Sequence, residues 1–193
     1  MNNTKRNNQS VDKKDVVVIG VPLDSNSSYK RGAAAAPEKI REALFCESSN
    51  LFTESRLDLG STDRWQVLPD LEFSENRTAF RQIENEIKRL LKKELRVISL
   101  GGDHSITLPV IRAYAEKYTS LNILHLDAHP DLYDELDGNR YSHACPFARI
   151  MEEKLVQRVV QAGIRTLTDH QYDQAQRFGV EIIEMRNIAA VKD

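Results

Sequence analysis

Five short apolar runs, separated by amphipathic stretches, restrict the fold more than any other feature of this chain. They are VVVIGV at 16–21, then 97–100, 123–126, 159–164 and 180–183. Their apolar residues run on without polar alternation, so each reads as a strand buried on both faces, the condition of a parallel sheet. Helical patterns lie between them. Ala36 to Leu44 carries Pro37, suited to the first helical position, and repeats apolar residues at Ile40, Ala43 and Leu44. Glu75 to Glu94 sets Phe80, Ile83, Ile87, Leu90 and Leu91 on one face, opposite a charged one. Ile111 to Tyr118 and Phe147 to Leu155 follow the same style. Thr168 with Gln171 forms a capping box for a helix that Gly179 ends. Strand alternating with helix predicts an α/β domain. Residues 45–74 read as loop with one short strand.

The 193 residues suffice for a domain with its own core, and no internal repeat or linker divides them. Apolar content of 40%, charged content of 29% and a net charge of −2 lack the basic excess of a nucleic-acid binder. No apolar run approaches the length of a membrane span, so neither nucleic acid nor membrane is expected as a partner. Residues 1–14 are polar, with little to bury, and read as a disordered leader. Without an apolar central region they are no secretory signal. Lys5, Arg6, Lys13 and Lys14 outnumber the acids there, but arginine is scarce and no amphipathic period supports an organelle transit peptide. Cys46 and Cys145 sit far apart, without the spacing of a disulfide framework or a zinc clip. They read as free thiols in a reducing cytoplasm.

The chemistry gathers at two strand ends, where open α/β sheets collect their ligands. SLGGDHS, 99–105, follows one strand; its glycines allow a tight turn that presents Asp103 and His104. HLDAHPDLYDE, 125–135, follows another and crowds Asp127, His129, Asp131, Asp134 and Glu135 together. Two carboxylates about 4 Å apart repel by roughly 4 kcal/mol at an effective dielectric near 20. They can avoid this by pointing apart into water, as a solvated acidic loop beside a core histidine. A bound divalent cation removes the repulsion and uses the imidazoles as well. Histidine and aspartate without cysteine suit Mn²⁺, Fe²⁺ or Zn²⁺. His125 lies inside its strand and reads as a packed or supporting residue rather than a ligand. His170, in a helical first turn, reads as surface. His143 lies in a loop before a proline-started helix and becomes a proton-transfer candidate only if it stands near the metal.

At these residues the chain resembles the arginase and agmatinase family, the ureohydrolases. GGDHS at 101–105 and DAHPD at 127–131 look like two of that family's metal signatures. GVPLDSNSSYKRGAAAAPEKIREAL at 20–44, SHACPF at 142–147 and QAGIRTLT at 161–168 extend the likeness, which runs from about residue 15 onward and leans toward agmatinases and agmatinase-like plant arginases. The resemblance implies a three-layer αβα sandwich around a mainly parallel sheet over 15–193, and two Mn²⁺ ions at the strand ends. It implies that His104, Asp127 and Asp131 hold one ion, and that Asp127 bridges to a second, which His129 also holds. A hydroxide between the ions attacks the guanidinium carbon of a small cationic substrate, agmatine or arginine. His143 moves the proton to the departing amine, urea is released, and Asp103 supports the ligands from behind. Asp134, Glu135 and Asp137 either help hold the cation or form a solvated face. The resemblance also implies a homo-oligomer when full length. One departure stands out: the family's later SxDxDxxDP strand motif, with two more aspartates, and a further acid that holds the guanidinium are absent. The expectation is therefore the front part of a ureohydrolase with its last strands missing. The alternative is a catalytically inactive remnant that only binds metal or associates with other subunits.

Overall fold

Strand β1, Val16–Val21, is central to the first half of the molecule; Val17, Ile19 and Val21 are buried on one of its faces. In this computed structural model residues 15–73 and 75–190 are described; the expected leader at 1–14 lies outside them. The chain continues through α1 (Ala36–Leu44), β2 (Trp65–Val67), α2 (Asn76–Lys92), β3 (Arg96–Gly101) and α3 (Thr107–Lys117). It then runs through β4 (Asn122–Leu126), α4 (Pro146–Glu152), β5 (Arg158–Ile164), α5 (Asp169–Phe178) and β6 (Glu181–Glu184). Every pairing between these described strands is parallel, so the α/β alternation read from the apolar runs is the architecture. β2 is the short strand expected within 45–74.

Two packing layers follow from the pleat. Ile19 and Val21 join Ile83, Ile87, Leu90 and Leu91 of α2 and Ala113 of α3 in one core cluster. Leu108 of α3, Phe147 and Ile150 of α4, Val159 of β5 and Ala175 of α5 form a second, and Phe80 packs against both. Helices α2 to α5 thus make one continuous layer. Gly20 points the other way, and a side chain there would meet Pro37 of α1 at 2.8 Å. Helix α1 therefore lies on the opposite face, as right-handed crossovers require when the chain reverses its direction across the sheet.

The sheet differs from a single expanse. It forms two three-stranded halves, ordered β2-β1-β3 and β4-β5-β6. Among the described residues β3 and β4 each keep one edge unpaired. Ile98, Leu124 and Leu126 are exposed, on the face away from α2 to α5, since their neighbours Val97, Ile123 and His125 pack toward that helical layer.

Local signals fix the ends. Thr168 caps α5 by accepting from the Gln171 amide, and Gly179 closes it in the left-handed region at φ 69°. Helix α3 begins four residues before the expected Ile111, because Asp103 caps a preceding 3-10 turn by accepting from the Ser105 amide. Pro109 fits there, since a first-turn residue needs no amide partner.

Candidate metal centre

The ends of β1 and β3 are joined by backbone bonds: Gly102 N donates to Val21 O and Asp103 N to Leu23 O. A Cβ on Gly102 would stand 2.1 Å from the Leu23 carbonyl oxygen, so the approach requires glycine. Asp103 is buried and fully committed. Its Oδ1 accepts from the Ser105 amide, and its Oδ2 from the Asn26 amide and the Ser27 hydroxyl. It holds the turn from which His104 projects.

The turn after β4 is anchored to β5. Asp127 N donates to Ala162 O at 3.1 Å, and Arg165 N to Ala128 O at 2.9 Å. From inside β5 the fully buried Gln161 donates its amide to Pro130 O at 2.7 Å. Asp131 adopts φ 48°, a left-handed conformation that costs a non-glycine residue about 1 kcal/mol or more. The surrounding bonds hold it there, buried and facing His104.

These turns bring four ligand-bearing side chains together. One atom each of His104, His125, Asp127 and Asp131 lies within 4.8 Å of all the others. His104 Nδ1 is 2.6 Å from Asp131 Oδ2, and His125 Nε2 is 3.4 Å from Asp127 Oδ2. His129 is the most exposed of the group. Its ring nitrogen Nδ1 is 3.3 Å from Asp127 Oδ1, and its backbone amide donates to the same oxygen at 2.8 Å. His104, Asp127, His129, Asp131 and His143 all line one cavity of about 540 Å³.

His125 is buried against Phe147, ring centroids 4.3 Å apart, as a packed strand histidine should be. It also faces the cluster. The Gln161 amide nitrogen, which donates to Pro130 O, also reaches His125 Nδ1 at 3.2 Å. This leaves the proton of the neutral ring on Nε2, which is 3.4 Å from Asp127 Oδ2 without hydrogen-bond geometry.

Electrostatics follow the same geometry. Burial pulls the His104 pKa down, but its bond to Asp131 and the charges of Asp131, Asp127 and Asp103 outweigh that and raise it. Burial, then the neighbouring His104, hold His125 below the ordinary histidine value. Burial pushes the Asp127 carboxyl up, yet the His129 amide and the two nearby imidazoles win and hold it below its ordinary value. A protonated imidazole does for these carboxylates what a cation does. The donor set of imidazoles and carboxylates with no thiolate fits a hard or borderline divalent ion such as Mn²⁺.

Residues outside the cluster have partners of their own. Asp134 does not face the cavity as a free acid: Arg149 Nη2 and Arg140 Nη1 sit on its Oδ1 at 2.7 and 2.8 Å. The Arg149 bond is the main reason its pKa is lowered. His170 is exposed, yet its ring stacks on Tyr133, and its Nε2 accepts from the Asp134 amide at 3.3 Å. Cys46 is exposed and Cys145 buried, both free. Sequence reasoning missed three residues that hold the site: Asn26, Gln161 and Arg149. A buried glutamine inside an apolar strand was the one available signal.

A sequence profile described as the arginase family matches residues 14–192. The chain belongs to the arginase family. It is 42% identical over 186 residues to arginase 1, mitochondrial, of Oryza sativa subsp. japonica, covering 92% of this chain and 55% of that protein. It is 34% identical to the guanidinobutyrase of Pseudomonas aeruginosa, covering 88% of this chain and 56% of the relative. The arginase from Medicago truncatula superposes with a TM-score of 0.86 at 40% identity, over 91% of this chain and 58% of that one. The proclavaminate amidino hydrolase from Streptomyces clavuligerus gives 0.80 at 31% identity, over 92% and 61%. The chain thus spans about half the length of the curated relatives it matches. As an arginase-family member it is an α/β chain with parallel sheets and a clustered set of candidate metal ligands. No described helix is long and apolar enough to cross a membrane.

Proposed function

We propose that this site hydrolyses the guanidinium group of a small cationic substrate, arginine or agmatine, and releases urea. The observation that carries the reading is the convergence of His104, Asp127 and Asp131, with His129 beside Asp127 and His143 on the wall of the same cavity. We assign His104, Asp127, His129 and Asp131 as ligands of Mn²⁺ and His143 as the proton carrier. Manganese ions, when bound, lower the pKa of water enough for it to act as a nucleophile near neutral pH. Asp127 offers two oxygens to this set, one facing His129 and one facing His125. Asp131 is fixed by its buried, left-handed backbone, and Asp103 and Gln161 hold the two turns in place. In the reaction water adds to the guanidinium carbon and the bond from that carbon to the substituted nitrogen breaks. His143 delivers a proton to that nitrogen, which leaves as a primary amine.

Relatives named arginase and guanidinobutyrase support a guanidino substrate and leave its identity to experiment. The reading includes a cytoplasmic setting, consistent with two free thiols, and association of identical subunits. A second reading is metal binding at this cluster without turnover. The test is urea release by the Mn²⁺-loaded chain from arginine, agmatine and 4-guanidinobutyrate. Urea from any of them supports the hydrolase. Bound manganese with no urea from all three supports the second reading, and activity confined to acetyl-lysine amides refutes the guanidino assignment.

A further inference from the structure

We infer that Asn26 is a positioning residue for His143: its backbone carbonyl locks the neutral imidazole in the tautomer with the proton on Nδ1, leaving Nε2 as the proton acceptor. The inference rests on the role of His143 proposed above. His143 Nδ1 lies 3.0 Å from the Asn26 carbonyl oxygen, and the His143 amide donates to the same oxygen at 3.2 Å. A carbonyl can only accept, so the neutral ring must bring its proton to Nδ1. The Ser142 hydroxyl, 3.3 Å from the same nitrogen, can serve either way and does not oppose this. A free histidine side chain mostly keeps its neutral proton on Nε2, so the contact reverses the ordinary preference. The lone pair then sits on Nε2, in a ring that lines the cavity shared with His104, Asp127, His129 and Asp131. A group that must take a proton and pass it on needs that lone pair in place beforehand.

The Asn26 peptide is held from three sides. Its amide donates to Asp103 Oδ2 at 3.0 Å, and its Nδ2 donates to Ser105 Oγ at 3.0 Å. Its Oδ1 accepts from Asn139 Nδ2 at 3.2 Å, on the loop that carries His143 itself. One residue thus couples the loop after β1, the turn after β3 and the histidine loop. An aliphatic side chain at 26 would keep the carbonyl but lose the anchors to Ser105 and Asn139.

The test is long-range nitrogen–proton NMR on the metal-free chain with ¹⁵N-labelled histidine. It is run at about pH 8.5, two units above the ordinary histidine value of about 6.5. His143→Ala identifies the His143 signals. The expected spectrum shows His143 neutral with its proton on Nδ1, and Asn26→Ala moves it toward the Nε2-protonated or averaged form. A wild-type His143 with its proton on Nε2, or averaged between the two, overturns the inference. So does an Asn26→Ala chain that folds and keeps the Nδ1 signature intact. Should Asn26→Ala fail to fold, Ser105→Ala removes one anchor and is read in the same way. No metal or substrate enters the measurement, so failure of the urea assay leaves the tautomer result standing, and the reverse holds too.

Discussion

On the proposed reading, removing His143 separates chemistry from metal binding. It stands outside the His104, His125, Asp127 and Asp131 cluster but lines one cavity with His104, Asp127 and Asp131. In a manganese-loaded form that turns over, His143→Ala should leave metal content unchanged and lower the rate by roughly a hundredfold, the usual worth of a positioned acid–base group. Metal analysis beside steady-state kinetics checks this; loss of manganese with unchanged turnover per bound ion would make His143 a ligand. The two cysteines make a second contrast. Burial raises the Cys145 thiol to about 11, whereas a bond from Ser49 lowers that of the exposed Cys46. A thiol reagent at neutral pH should therefore modify Cys46 quickly and reach Cys145 only after denaturation; equal rates in the folded chain would contradict the burial. His104, Asp127 and Asp131 were legible in the sequence because they stand in unbroken motifs at strand ends. Asn26 was not, because its contact with His143 spans 117 residues and a polar loop residue advertises no partner. Gln161 was visible as a polar residue in an apolar run, but its bond to Pro130 depends on the β4–β5 register.

At the scale of elements, apolar runs located five of the six described strands; the burial on both faces that they imply holds for β1 but not for β3 and β4, whose Ile98, Leu124 and Leu126 are exposed on one face. The capping of α5 by Thr168 and Gly179 was equally local and equally legible. The start of α3 was not: GGDHS read as a tight turn with the helix starting only at Ile111, whereas Asp103 leads directly into a 3-10 turn and then α3. That turn depends on Gly102 lying against the Leu23 carbonyl. Gly102→Ala should destabilise the chain by more than ~1 kcal/mol, because the added carbon can be relieved only by moving backbone. For a chain of this size that is a fall of about 2–4 °C or more in the melting temperature. Thermal unfolding of the variant checks it; an unchanged midpoint would mean that the β1 and β3 ends are not held as tightly as described.

For the whole molecule, the sheet's division was not legible, because pairing between β3 and β4, or its absence, is a non-local property that no single run encodes. Their open edges and the exposed Ile98, Leu124 and Leu126 predict concentration-dependent self-association of the isolated chain. Light scattering should show it, and Leu124→Lys with Leu126→Lys should reduce it; association unaffected by that pair would place the contact elsewhere. The two halves meet at the cluster, where His104 after β3 bonds Asp131 after β4. A cation there would be held by residues from both halves, with Asp127 serving two sites and His129 adding to the second. Calorimetric titration of the chain with Mn²⁺, beside its Asp127→Ala variant, tests this most directly. Weak binding by the chain is expected, with at most one ion held more firmly than the other, and loss of that binding in the variant. No manganese binding at all, or binding that Asp127→Ala leaves unchanged, would mean that these carboxylates and imidazoles do not form a cation site.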